Sequence, residues 1–434
     1  MNFVLVSSLV LLFVHLYLWR RLVHDTALSS RARKLATIAI VGLGLSIPVS
    51  FMMRDPDQKP LLLTGNIWLG LMFYLTTLLL TWDAIRLPVR LLQGINRFRE
   101  RNRPVSDEGM RASAIPPTAV ATAAATRDTH LDPAAPSAAT TMPPTPTETP
   151  TTMLQRREFL ARSSATTALL ATGTIGVWGT RAALWELSTP EVVIALPQLP
   201  KALDGYQIAL MSDIHIGATL HGRFLRDLVE TTNRFKPDLV AVVGDLVDGS
   251  VADLGAHVAE LGRLRSRQGT VFVTGNHEYY SGADAWIAFL RKLGVRVLLN
   301  EHLVLGDKHR TGAQFDLGGV RDHHAYHFGH PAPDAVMATQ GRNPDHALVM
   351  LAHQPAQIDD VARTGAGLQL SGHTHGGQLF PFGALTMLVQ PYLSGLYRHN
   401  DQTQIYVSRG TGFWGPPMRV LAPAEITRIR LVGA

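Results

Sequence analysis

The sequence predicts an α/β domain at residues 190–434 preceded by an N-terminal membrane region of about four helices, and three observations lead there. Four apolar stretches fall within the first 186 residues. Beyond them, short strand-like apolar runs alternate with amphipathic helical patterns, then give way mostly to strands, the pattern of mixed sheets with helices outside. Between Ser212 and Gln378, five polar clusters each stand just after or next to such a run: Asp213-Ile214-His215, Gly244-Asp245-Leu246-Val247-Asp248, Gly275-Asn276-His277-Glu278, Ala352-His353-Gln354 and Gly372-His373-Thr374-His375-Gly376.

The length of 434 residues allows two or three domains. A charged fraction of 17% against 46% hydrophobic residues leans towards a membrane segment joined to a soluble one. The first three apolar spans, at 3–19, 35–53 and 61–82, each approach the roughly 20 residues that a helix needs to cross a hydrocarbon core. They define a membrane region at 1–88. The first connecting loop holds Arg20, Arg21, Arg31, Arg33 and Lys34, whereas Arg54, Asp55, Asp57 and Lys59 cancel in the second. After the third span come Arg86, Arg90, Arg97, Arg99, Arg101 and Arg103. The positive-inside rule puts the first and third loops in the cytoplasm and the amino terminus outside. This topology also explains the net charge of +6. No long basic stripe marks the later region, which argues against a nucleic-acid partner. The absence of cysteine excludes disulfides and thiolate metal sites.

Residues 89–160 read as a cytoplasmic linker, basic at first and rich in Ala, Pro and Thr at 112–152, too poor in large apolar groups to offset ordering entropy. Arg156-Arg157-Glu158-Phe159-Leu160 then precedes an apolar stretch at 164–185. The segment 161–186 resembles a twin-arginine signal anchor, and equally fits an ordinary fourth membrane helix with two arginines on its cytoplasmic flank. Both readings place everything after Trp185 outside, on the periplasmic side.

In the last region, strands are expected at 192–196, 208–211, 239–243, 271–274, 348–351, 368–370 and 405–407, with a helix carrying Phe224, Leu225, Leu228 and Val229 on one face and another at 283–293. The clusters mix imidazole with carboxylate and amide oxygen, a donor set suited to Mn, Fe or Zn. In a strand, residues i and i+2 point the same way, so Asp213 with His215, and His373 with His375, are each expected to aim two ligands at one point from one strand end. Two cations about 3.5–4 Å apart need a shared carboxylate. Asp245 is the candidate, because it follows a buried-type strand and Gly244 frees the backbone to turn.

In order, the clusters read Asp-x-His, Gly-Asp-x-x-Asp, Gly-Asn-His-Glu, a lone His and Gly-His-x-His, and so resemble the signature of the calcineurin-like metallophosphoesterases. The stretches 376–382, 391–397 and 409–419 resemble the membrane-anchored bacterial subgroup more specifically. The resemblance implies a two-sheet sandwich flanked by helices, with metals at the strand ends. It implies that Asp213, His215 and His375 bind one divalent ion, that Asn276, His353 and His373 bind a second, and that Asp245 bridges them, the metals being Mn, Fe, Zn or Mg. It further implies hydrolysis of a phosphoric ester or anhydride bond by a metal-bridging hydroxide, with His277 catalytic rather than a ligand. Asp248 and Glu278 take supporting or turn roles.

The expected substrate is a phospholipid or cell-envelope phosphoester, and the expected partner the lipid bilayer; the alternatives are a nucleotide or nucleic-acid phosphodiesterase and a non-catalytic receptor or scaffold. Arg419 and Gln378 are candidate substrate contacts, Arg419 through bidentate binding of a phosphate oxygen or, alternatively, as a structural ion pair. Phe380, Phe382, Phe413 and Trp414 form either an apolar rim or ordinary core. The histidine-rich loop at 322–330 reads as solvated, with an additional metal or substrate contact as the other reading.

Overall fold

A computed structural model describes residues 2–52, 59–101, 150–307 and 312–434. The N-terminal part is helical: α1 (Asn2–Trp19), α2 (Ser30–Met52), α3 (Lys59–Arg101) and α4 (Pro150–Trp185). Among the described residues, three stretches are long and apolar enough to cross a membrane: Leu5–His24, Ser30–Ser50 and Leu62–Gln93. The helix α4 is not one of them, since its central stretch is punctuated by Ser, Thr and Gly. Most of the expected linker lies outside the described residues. At its edges α3 continues to Arg101 and α4 begins at Pro150, because Leu, Arg, Gln and Glu sustain a helix. A buried apolar cluster joins Leu18 of α1, Ile47 of α2, Leu75 and Leu79 of α3, and Ala168 of α4. Below it, Arg21 pairs with Asp83 at 3.2 Å, Tyr17 donates to Asp83 at 2.9 Å, and Arg162 donates to the Thr26 carbonyl at 2.8 Å.

After a short strand β1 (Leu187–Ser188), the chain builds two six-stranded sheets. The first uses β2 (Glu191–Leu196), β3 (Tyr206–Met211), β4 (Leu239–Val243), β5 (Thr270–Val273) and β6 (Arg296–Val297). The second uses β7 (Glu301–Asp307), β8 (Ala313–Gly319), β9 (Leu348–Leu351), β10 (Leu368–Ser371), β11 (Gly395–Arg398) and β12 (Gln404–Val407). Last come β13 (Ala424–Glu425), which pairs with β1, and β14 (Thr427–Gly433), which inserts between β2 and β3. Every anticipated strand is present. The orders are β2-β14-β3-β4-β5-β6 and β11-β12-β10-β9-β8-β7.

Alternation along each strand explains the layering. Ile208, Leu210, Leu239, Ala241 and Val243 face inward against Phe315, Leu317, Val349, Leu351, Leu368 and Leu370, forming the core between the sheets. Their neighbours Met211, Val240, Val242 and Phe272 face outward against Leu225, Leu228 and Val229 of α5 (Gly222–Arg234) and Trp286 and Leu290 of the helix Ala283–Lys292. Strands β3, β4 and β5 run parallel, as do β8, β9, β10 and β12, so their carboxyl ends form one edge, where crevices in open α/β sheets occur.

The domain is packed against the helices. Tyr74 of α3 is buried with Leu379, Met418 and Val420, and Arg419 donates its backbone N–H to the Gly179 carbonyl of α4 at 2.9 Å. Glycines permit this approach: a Cβ on Gly70 would stand 2.8 Å from Met418 Sδ, and one on Gly179 would stand 2.9 Å from Val420 Cγ2.

Candidate metal centre

Each expected ligand follows the carboxyl end of a parallel strand, but not as a continuation of it. Asp213 (φ 53°), His215 (φ 51°), Asp245 (φ 52°), His373 (φ 71°) and His375 (φ 51°) all have left-handed backbone. Strand alternation therefore does not explain how the pairs are aimed. The chain leaves the strands through tight left-handed turns, a conformation that costs a non-glycine residue about 1–3 kcal/mol and needs support from its surroundings. Backbone bonds supply it: Asp213 N–H donates to Gly244 O at 3.0 Å, His215 N–H to Asp245 O at 3.1 Å, and Gly372 N–H to His353 O at 2.9 Å. Two glycines let the turns close, since a Cβ on Gly275 would stand 2.2 Å from Asp245 Oδ1 and one on Gly372 would stand 2.3 Å from Asp213 Oδ2.

The side chains gather in two clusters, Asp213 with His215 and His375, and Asp245 with His353 and His373, while a third grouping, His215 with Asp245 and His277, overlaps both. In the first, His215 Nε2 and His375 Nε2 lie 3.1 Å apart, and His375 Nε2 lies 3.6 Å from Asp213 Oδ1. Two adjacent imidazoles on one ion, each about 2.1 Å from it, are separated by about that much. In the second, His353 Nε2 is 3.1 Å from Asp245 Oδ2. Asp245 Oδ2 is also 3.9 Å from His215 Nε2, so this carboxylate touches both clusters. His373 Nδ1 and Asn276 Oδ1 are buried without a hydrogen-bond partner. Orphaned donors and acceptors of this kind are costly unless something else satisfies them. Imidazole and oxygen atoms converging in this way fit divalent cations.

The neighbours orient the set. His353 Nδ1 faces the Val243 carbonyl at 2.8 Å and His215 Nδ1 faces Asp248 Oδ1 at 3.1 Å, which leaves each Nε2 turned inward. The same Asp248 oxygen lies 2.5 Å from His277 Nδ1. Glu278, fully buried, accepts from the backbone N–H groups of Asp245, Leu246 and Gly275 at 3.0, 2.8 and 2.6 Å, and so fixes the turn that carries Asp245.

The electrostatics divide the imidazoles. Burial, then the charge of His353, holds His373 down at about 4, and burial with His215 and Arg419 holds His375 well below its ordinary value, so both present neutral rings. For His277 burial acts downward, but Asp245 and Asp248 outweigh it and raise the imidazole to about 9. Burial opposes ionisation of Asp245 too, yet His353 and His277 hold its carboxyl well below the usual range.

Two expected substrate contacts are corrected. Arg419 is buried, and its guanidinium donates to the carbonyls of Gly412, Ala422 and Arg409 at 2.9, 2.8 and 2.9 Å. It packs 3.3 Å from His375 Nδ1 rather than facing solvent, so it supports a ligand instead of a phosphate. Gln378 donates to the Trp414 and Pro416 carbonyls at 2.9 and 3.1 Å and accepts from Trp414 N–H at 3.1 Å, which fastens the 414–416 loop. Of the aromatic set, Phe413 is core, while Phe380, Phe382 and Trp414 are exposed. Within the histidine-rich loop, His324 turns inward, its Nδ1 2.9 Å from Gln354 Nε2. Asp322, the first residue of this loop and expected with it in solvent, is buried and accepts from Gln354 Nε2 at 3.0 Å. Its only signal is a position just after an unanticipated strand, β8.

The structure thus places this donor set at the strand ends of a two-sheet α/β sandwich. The family model for calcineurin-like phosphoesterases matches residues 206–377. An uncharacterized metallophosphoesterase of Aquifex aeolicus is 32% identical over 251 residues, covering 57% of this chain and 92% of that protein. The chain belongs to the calcineurin-like metallophosphoesterase family, whose members use divalent metals. It is also similar to an uncharacterized metallophosphoesterase of Helicobacter pylori, 42% identical over 243 residues, or 56% of this chain and 63% of that protein. A Danio rerio transmembrane protein with a metallophosphoesterase domain is 37% identical over 269 residues, or 61% of this chain and 62% of that protein. The matches thus span less than two thirds of these two relatives. Together with the three apolar helices, the transmembrane relative points to a membrane protein.

Proposed function

We propose that the chain is a membrane-anchored, multi-pass phosphoester hydrolase, a phosphodiesterase or pyrophosphatase, with its catalytic domain on the extracytoplasmic side. Asp213, His215 and His375 hold one divalent cation, Asn276, His353 and His373 hold another, and Asp245 is shared. The observation that carries this reading is the position of Asp245 Oδ2, 3.1 Å from His353 Nε2 and 3.9 Å from His215 Nε2, at the junction of the two clusters. A bound pair of divalent cations supplies an activated water and neutralises the phosphoryl oxygens.

The chain's own groups do the rest. The turns hold the donors in place, so little reorganisation is needed when charge develops on phosphorus. His277, kept protonated at neutral pH by Asp245 and Asp248, donates a proton to the departing oxygen. Asp248 fixes the orientation of His277 and His215 together. The substrate is a phospholipid or other cell-envelope phosphoester, a reading supported by packing of the domain directly on apolar helices.

The decisive experiment is Asp245→Asn in the full chain, with bound metal measured by elemental analysis and hydrolysis by release from a generic phosphodiester. Loss of metal and of hydrolysis is expected. Full activity in this variant would remove Asp245 from the shared position.

A further inference from the structure

Where the bilayer meets the domain follows from the lengths of the helices. From Asn2 to Trp19, α1 rises about 26 Å, close to the roughly 30 Å of a hydrocarbon core. Its far end carries Arg20 and Arg21, Arg21 pairs with Asp83 of α3, and Arg86 and Arg90 follow on α3, so these charges set one face of the apolar slab near Asp83 although the apolar stretch itself runs on to Gln93. From Asp83, α3 climbs only about 15 Å to Phe73 and about 20 Å to Gly70, both short of the opposite face. On α4, Arg162 marks the same first face by donating to Thr26 O, and Gly176 stands about 21 Å above it. Yet these levels already touch the catalytic domain. Phe73 meets the Phe382 ring edge-on with centroids 5.9 Å apart, and a Cβ on Gly70 would collide with Met418 Sδ. Part of the domain therefore reaches below the far surface of the slab.

The part that does so is built for it. No charged residue or histidine occurs between His375 and Arg398. Within that run Phe380, Phe382, Leu385, Met387, Leu388 and Val389 are all exposed, Leu388 and Val389 by 78% and 75%. An apolar patch of this density is not left in water by a soluble domain. It hangs directly from the metal centre, since Thr374 donates to Leu393 O at 2.5 Å and Gly377 packs on Gly383. Trp414, half exposed, is fastened by Gln378, two residues before this segment, and has its ring 5.7 Å from that of His277.

We propose that Phe380–Val389 is a lip immersed in the lipid bilayer, and that a lipid-borne phosphoester passes sideways from the bilayer over this lip and Trp414 to the metal centre. Lipid is the occupant because the patch meets the apolar helix α3 at Phe382, whose ring contacts Phe73. The delivery half rests on the function proposed above; immersion of the lip does not.

The chain has no cysteine, so a single spin label reports one place. Full-length Leu388→Cys, Val389→Cys and, as the aqueous control, Glu230→Cys are labelled and placed in vesicles of phosphatidylethanolamine and phosphatidylglycerol. Thermal unfolding confirms that each is folded. Expected is a loss of accessibility to a water-soluble nickel chelate and a gain to oxygen at 388 and 389, relative to 230. Nickel access at both positions overturns the lip, as does spin–spin broadening that shows a second copy covering it. Separately, the native chain is offered phospholipid in those vesicles and a water-soluble phosphodiester. Release from the phospholipid supports lateral delivery. An immersed lip with hydrolysis of the soluble ester alone overturns delivery and the lipid substrate, and leaves the immersion intact.

Discussion

His277 shows how much one side chain depends on its neighbours. Its ring lies between Asp248, which contacts Nδ1 at 2.5 Å, and the rings of Tyr280 and Trp414, and its backbone N–H donates to Asp245 Oδ1 at 2.9 Å. An imidazole raised to about 9 is charged at neutral pH and loses its proton as the pH climbs through that value. If it is the acid that assists departure, activity falls on the alkaline side near that pH. His277→Ala is expected to keep its metal, to slow turnover by roughly 10²–10⁴-fold with a poorly departing alcohol, less with a good leaving group, and to lose the alkaline limb. Metal content and a pH–rate profile check this; loss of metal would make His277 a ligand. The convergence of these side chains was legible from sequence because imidazole, carboxylate and amide in this order serve few purposes. The actual work of Arg419 was not, because whether a guanidinium meets phosphate or backbone carbonyls depends on the fold around it.

At the level of elements, what aims the donors is the turn after each strand, and this was the main misreading. Period-two alternation is a property of extended backbone, while Asp213, His215, His373 and His375 have left it for the left-handed region. Sequence does not announce such a conformation for non-glycine residues, since tertiary bonds impose it. The adjacent glycines are its one visible trace. Gly372→Ala tests this: the added Cβ would stand 2.3 Å from Asp213 Oδ2 and 2.6 Å from Ser212 Oγ, so the turn must shift. Expected are a cost of about 1–3 kcal/mol in unfolding stability and reduced bound metal, read by thermal unfolding and elemental analysis. Apolar central strands such as β4 were readable as continuous runs. Strand β7 was missed because it mixes Glu301, His302 and Asp307 with its apolar residues, and β14 because Arg428 and Arg430 interrupt Ile429 and Leu431, although its period is two.

For the whole molecule, arginine placement and helix order carry the topology. If the loops after α1 and α3 are cytoplasmic and α4, less apolar than the other three helices, also spans the bilayer, the carboxyl terminus lies outside. A reporter active only outside the cytoplasm, fused after Ala434, is expected to be active, and its cytoplasmic counterpart silent; the opposite pattern would invert the placement. That the domain rests on the helices is not visible in the sequence, because Gly70 and Gly179 lie in apolar stretches where glycine is common. The contact they allow changes the mechanical character of the protein. Arg419 is hydrogen-bonded through its main chain to Gly179 of α4, while its guanidinium packs against His375. No slack chain separates the two attachments, so this is not a ball swinging on a string: a tilt of α4 would pass, residue to residue, to His375.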